Sequence, residues 1–178
     1  MNSNNFIHID RNYALDLLKS VNLTDSIKQH SIKVASKGLE IANKICKRKV
    51  NKRLIEIGGL LHDIGRSITH DFNHGFVGGQ ILKEKGFSKD FIRICETHVL
   101  GGLDKDDAKT VGMPERNYFP ISIEEKIVCL ADKYLIGTKE VSIEDKLNHW
   151  FNKYGKTAIL AKSRNRIKSI ENEIRKLM

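Results

Sequence analysis

Six residues carry the ingredients of a metal centre: His30, His62, Asp63, His74, His98 and Asp132. His62 and Asp63 close the apolar run Ile57-Gly58-Gly59-Leu60-Leu61. Two ionisable groups ending such a run are costly to bury unless opposite charge holds them, and a divalent cation is the commonest partner. One histidine on an apolar helix face is usually a satisfied core residue. Several imidazoles and carboxylates pointing inward from separate helices are a different matter, because that donor mix suits iron, manganese, zinc or a similar ion.

The elements that must position these side chains read as helices throughout. Apolar residues recur at intervals of three and four, and strict alternation over a strand length is hard to find, so the chain is expected to be all-α, with seven or eight helices. Residues 22–25 offer caps for a helix running to about 47, with His30 between Ile27 and Val34 on its inner face. A helix over about 52–64 delivers His62, and one over 74–85, ended by Gly86, aligns His74 with Val77 and Ile81. Ser88 is placed to cap a helix whose stripe of Phe91, Ile94, Cys95 and His98 faces inward. Ser122-x-x-Glu125 has the form of a capping box and opens the helix that ends near Asp132, and Ser142-x-x-Asp145 repeats the signal more weakly. The stripe Ile143, Leu147, Trp150, Phe151, Tyr154 is read as core packing in preference to a base-stacking platform. Between 99 and 120 the periodicity breaks, apart from a helical turn near 106–109, and this long loop is expected to act as a lid or specificity element beside the site.

A chain of 178 residues, 40% of them apolar, suits one globular domain over 1–178. No long apolar stretch marks a membrane span, and Met1–Phe6 lacks the pattern of a secretory signal, so a cytoplasmic protein without membrane contact is expected. Cys46, Cys95 and Cys129 show no paired spacing and are read as buried, reduced core thiols. The net charge of +9 favours anionic partners without choosing among them.

The pattern His30…His62-Asp63…Asp132 resembles the signature of the HD superfamily of metal-dependent phosphohydrolases, and Leu60-Leu61-His62-Asp63-Ile64-Gly65 resembles its HDIG form. The likeness covers about residues 24–140, leaving a basic helical extension over about 142–178. His74-Gly75-x-x-Gly78-Gly79, Thr97-His98 and the segment Glu124–Asp132 are similar to the binuclear subgroup, which includes bacterial diadenosine tetraphosphate hydrolases, and to archaeal HDIG proteins. The resemblance implies an HD-domain helical bundle with one or two divalent transition-metal ions. His30, His62, Asp63 and Asp132 would hold the first, and Asp63 would bridge to a second held by His74 and His98. Where some binuclear relatives carry paired histidines this chain has His98-Val99, which leaves room for water or substrate on the second ion.

The chemistry implied is hydrolysis of a nucleotide or small phosphoester by a metal-activated hydroxide, without a covalent enzyme intermediate. Asp63 and Arg66 are the catalytic candidates, with Arg66 placed to grip a phosphate. Lys133 is read as a surface residue in preference to a second phosphate contact, and His70 as a surface histidine in preference to a further ligand. His8 and His149 receive no role. Residues 153–178 hold eight basic side chains against Glu171 and Glu173. They suggest an alternative, a phosphodiesterase on cyclic nucleotides or RNA ends, or a non-catalytic nucleotide- or RNA-binding module. Solvated helix faces remain the plainer reading of that charge, because no groove-reading motif accompanies it.

Overall fold

Helix starts follow the short polar residues that precede each apolar stripe. In the computed structural model, which describes residues 9–178, Thr24 caps α2 (Asp25–Lys44) and Asn51 caps α3 (Lys52–Leu61), each accepting a backbone N–H from three residues on. Then come α4 (His74–Glu84), α5 (Lys89–Thr97), α6 (Lys105–Thr110) and α7 (Ile123–Lys133), with α8 (Ile143–Tyr154) and α9 (Ala158–Leu177) at the end. Nine α-helices are present among the described residues. The count exceeds the expected seven or eight because α1 (Arg11–Ser20) precedes them, capped by Asp10 and burying Ala14, Leu17 and Leu18. His8 and the segment 1–6 lie outside the described residues. The described residues are all-α apart from a two-stranded hairpin, β1 (Leu135–Ile136) against β2 (Lys139–Glu140). No helix among the described residues is long and apolar enough to cross a membrane.

Several caps differ in detail from the sequence pattern. Ser122 accepts from the Glu125 N–H, but the Glu125 carboxylate turns away to Arg93, Thr97 and the Ile121 N–H, so the reciprocal half of that box is replaced. The weaker-looking Ser142–Asp145 pair forms the complete box. Ser88 occupies the cap position of α5 without a side-chain capping bond.

The helices pack around α3, whose residues 57–61 are almost wholly buried. α2 crosses it so closely that a Cβ on Gly59 would stand 2.7 Å from the Ala35 Cα. On the other side a Cβ on Gly65 would lie 2.0 Å from the His74 carbonyl oxygen. Glycine there sets how near the His62-Asp63 turn can come to the start of α4.

The 99–120 segment is no free flap. Leu100, Leu103, Met113 and Tyr118 are buried in a cluster of their own with Leu160 of α9. Asp104 and Asp107 of this segment are tied to Lys162 and Arg166. It forms a wall of the domain, with α6 where a single helical turn was expected, and the lid expectation is corrected by that apolar anchoring. Cys95 and Cys129 are buried thiols as expected. Cys46 is exposed, because α2 ends at Lys44 and the chain turns outward after Ile45.

Gly65→Ala therefore forces apart the His62-Asp63 turn and α4. We expect a loss of stability of about 3 kcal/mol or more, beyond ordinary overpacking because backbone rather than a flexible side chain is struck. Thermal or urea unfolding checks this, and an unchanged midpoint would contradict the close approach.

Candidate metal centre

Each of the four central histidines is fixed by the same device. The Nδ1–H of His62 donates to the Gly59 carbonyl at 2.7 Å, one helical turn back, as does that of His98 to Cys95 at 2.7 Å. His74 donates to the Asp71 carbonyl at 2.6 Å, and His30 to Gly137 in the hairpin turn at 2.7 Å. With Nδ1 the donor in every ring, each neutral imidazole presents an Nε2 lone pair, and all four point into one interior space. Backbone carbonyls in this role are the usual supports of metal-ligating histidine.

The spacing of those lone pairs tests whether an ion fits. His74 Nε2 lies 3.2 Å from His98 Nε2, and the two stand 3.1 and 3.4 Å from Asp63 Oδ1. Two ligand atoms about 2.1 Å from one ion at a tetrahedral angle are about 3.4 Å apart. The nearly equilateral triangle matches that spacing, whereas three acceptors so placed repel one another without a cation or a proton among them. His62 Nε2 and Asp63 Oδ1 are buried with no hydrogen-bond partner, which is costly in a dry interior.

A second set adjoins the first. His30 Nε2 is 3.0 Å from Asp132 Oδ1, and His62 Nε2 lies 3.7 Å from Asp63 Oδ2 and 4.0 Å from Asp132 Oδ1. Asp63 takes part in groups on both sides, with His30 and His62 and with His74 and His98. All six sequence-predicted ligands are thus brought together, and these groups could hold divalent metal.

Electrostatics agree with this arrangement. Burial drives the His62 imidazole down to about 3, and it also lowers His98, so both stay neutral. Burial would raise the Asp63 carboxyl, but His62, His74 and His98 overrule it and hold Asp63 well below the ordinary carboxylate range. Asp132 behaves likewise, with burial opposed chiefly by Lys133 and Lys146. His30 is raised despite its burial by its hydrogen bond to Asp132, so a proton competes with metal for its Nε2.

Arg66 is half-buried, donates its Nε–H to Asp63 Oδ2 at 2.7 Å, and lines the cavity of about 340 Å³ that opens onto the histidines. Lys133 is corrected from its surface reading. It is 2% exposed, bound to Asp132 Oδ2 and at 2.9 Å to the His98 carbonyl, and lines the same cavity. It stays charged, because Asp132 outweighs the burial that would lower it. His70 is exposed at the cavity mouth, as read, and His149 is exposed and apart from the cavity.

Sequence reasoning missed Lys146, Trp150 and the Gly137 carbonyl. Lys146 is buried, donates to the Leu135 carbonyl, and lies with Lys133 over the Trp150 ring, 5.5 and 5.6 Å from its centroid. A lysine on the inner stripe beside Leu147 was the available signal. The carbonyl had none, since only the hairpin brings it to His30.

The buried cluster at the meeting of α2, α3, α4, α5 and α7 is what the HD signature describes. The HD-domain family model matches residues 27–136, and the chain belongs to that family, a class of metal-dependent phosphohydrolases. It is 40% identical over 145 residues to an uncharacterized protein of Methanocaldococcus jannaschii, covering 80% of this chain and 85% of that one. It is 33% identical over 165 residues to a tRNA (cytidine(56)-2'-O)-methyltransferase of Picrophilus torridus; that match covers 93% of this chain but spans only 46% of the relative. The HD domain of L. monocytogenes phosphodiesterase PgpH, solved with cyclic-di-AMP, shares the fold at a TM-score of 0.53 and 18% identity, over 90% of this chain and 96% of that one. Helices α8 and α9 lie beyond the matched residues, yet Lys146 and Trp150 of α8 line the cavity.

A pH prediction follows from the buried neutral rings. Since His62 in the folded chain sits near 3 against an ordinary 6.5, the unfolded chain takes up its proton first as pH falls. Stability present above pH 6.5 should be lost progressively towards pH 3 in metal-free protein. His62→Asn should flatten that slope in thermal melts across pH, and an unaltered slope would refute the assignment.

Proposed function

We propose that this chain hydrolyses a nucleotide or small phosphoester at a binuclear metal centre. The observation that carries the reading is the convergence of four carbonyl-anchored imidazole Nε2 atoms on Asp63, with Asp63 Oδ1 and His62 Nε2 left without protein partners. His30, His62, Asp63 and Asp132 would hold one ion; His74, His98 and the shared Asp63 would hold the other. Iron, manganese or a similar ion suits this donor set. Bound there, such ions supply water activation near neutral pH and neutralise charge on a phosphoryl group.

The chain's own residues supply orientation and charge. Arg66 fixes Asp63 Oδ2 and faces the cavity, where a guanidinium pairs well with phosphate oxygens. Lys133 and Lys146 offset Asp132 at the buried end of the cavity, which favours an anionic substrate there. Val99, packed in the wall beside His98, offers no ligand atom and leaves a place for water or substrate. The packing of α9 against α7 and the 99–101 turn supports one domain over 1–178, in which the basic extension completes the site wall.

Phosphodiester cleavage of a cyclic nucleotide or an RNA end is the second reading, favoured by the relatives that act on tRNA or were solved with cyclic-di-AMP. The basic tail lends it little. Lys162 and Arg166 are tied to Asp104 and Asp107, Arg164 and Lys168 to Glu144, and Arg175 to Glu171. A helix face whose cations are already paired has less charge to offer a phosphate backbone.

With manganese added to chelator-stripped protein, phosphate release from a panel of nucleotides and phosphodiesters should appear, and Asp63→Ala should lower it by about a thousandfold or more. Undiminished turnover in Asp63→Ala, or none in the reconstituted wild type, would overturn the reading.

A further inference from the structure

The metal-facing cavity does not end at the histidines. A second cavity of about 550 Å³ adjoins it, and His70, Phe72 and Tyr154 line both. Phe72, in the linker before α4, and Tyr154, the last residue of α8, meet with ring centroids 5.4 Å apart at an angle of 60°. Tyr154 is 43% exposed, unlike the buried aromatics of the core. Beyond the pair the wall is mostly apolar, with Val111, Ile159 and Leu160, and is edged by the hydroxyl-bearing Thr110 and Thr157 and by the carboxylate of Asp71.

The two adjoining cavities differ in charge. At the inner end Arg66, Lys133 and Lys146 surround the carboxylates, while the outer cavity holds no lysine or arginine among its lining residues. A ligand matching both ends is anionic at one terminus and flat, weakly polar and able to stack at the other. Sugar phosphates meet the first condition alone. We propose that the ledge formed by Phe72 and Tyr154 takes the nucleobase of a nucleotide whose phosphate lies at the histidine-aspartate cluster. The inference rests on the phosphohydrolase reading above and narrows its substrate class to nucleotides.

Trp150 is the chain's single tryptophan and lines the inner cavity beside the ledge, so its emission reports occupancy. Manganese-loaded protein titrated with AMP, with GMP and with ribose 5-phosphate should bind the nucleotides more tightly. Tyr154→Ala should weaken AMP and GMP about 5- to 100-fold, the range of one base-aromatic stack, and leave ribose 5-phosphate unchanged. Tyr154→Phe should restore wild-type affinity. Phe72→Leu gives a second route if Tyr154→Ala shifts the melting temperature. Equal affinity of wild type for AMP and ribose 5-phosphate, or unchanged AMP binding in Tyr154→Ala and Phe72→Leu, would overturn the ledge. Phosphate release measured in parallel separates the two claims: hydrolysis of neither ester counts against the phosphohydrolase reading, while the binding comparison still decides the ledge.

Discussion

The structure depends on holding four imidazole lone pairs and two carboxylates together at the buried end of one cavity. Such an arrangement is repulsive by itself, and it persists because each ring is pinned at Nδ1 by a main-chain carbonyl. Three of those carbonyls lie three residues before their histidine, at or beside a helix end, so helix geometry aims the ring without help from a distant side chain. The fourth, on Gly137, comes from the hairpin and is the one support that tertiary folding must deliver. Once aimed, the donors have the spacing of ligands around a common ion, and binding one converts the repulsion into folding free energy.

Close backbone approach is the second requirement. Gly59 lets α2 lie against α3, Gly65 lets the turn after Asp63 touch the start of α4, and a Cβ on Gly75 would stand 2.8 Å from the Cys95 carbonyl oxygen. The same contacts bring His30, His62, His74 and His98 within reach of one another. A further local cost appears at Leu100, a non-glycine residue with φ of 54°, just after the turn that carries His98. Burial of Leu100 and the bond from Lys133 to the His98 carbonyl hold that turn in place.

Much of this was legible in the sequence because the donor residues interrupt apolar stripes of helical period. His30, His62, His74 and His98 each stand where an apolar residue would otherwise sit, and the glycines nearby mark where helices must touch. What the sequence hid depends on long-range packing. Lys133 in the last turn of α7 has the look of a solvated helix-end cation, and only the wall formed by α8 and the 99–101 turn buries it. The broken periodicity of 99–120 suggested a lid or specificity element, yet its apolar residues, spaced irregularly, pack against α9. The charge of α9 was read as a solvated face in preference to a nucleic-acid face, and the sequence hid its partners Asp104, Asp107 and Glu144, which lie 20 to 62 residues away in the chain. Helix α1 was readable from Ala14, Leu17 and Leu18 behind Asp10, a short stripe overshadowed by the motif region.

The central claim is that one shared carboxylate joins two ion sites, and X-ray anomalous scattering at the manganese edge from crystals of manganese-loaded protein tests it most directly. Two peaks about 3.5–4 Å apart, one beside His30, His62 and Asp132 and the other beside His74 and His98, with Asp63 between them, are the result the account predicts. A single peak remote from Asp63, or none among the four histidines at saturating metal, would contradict it.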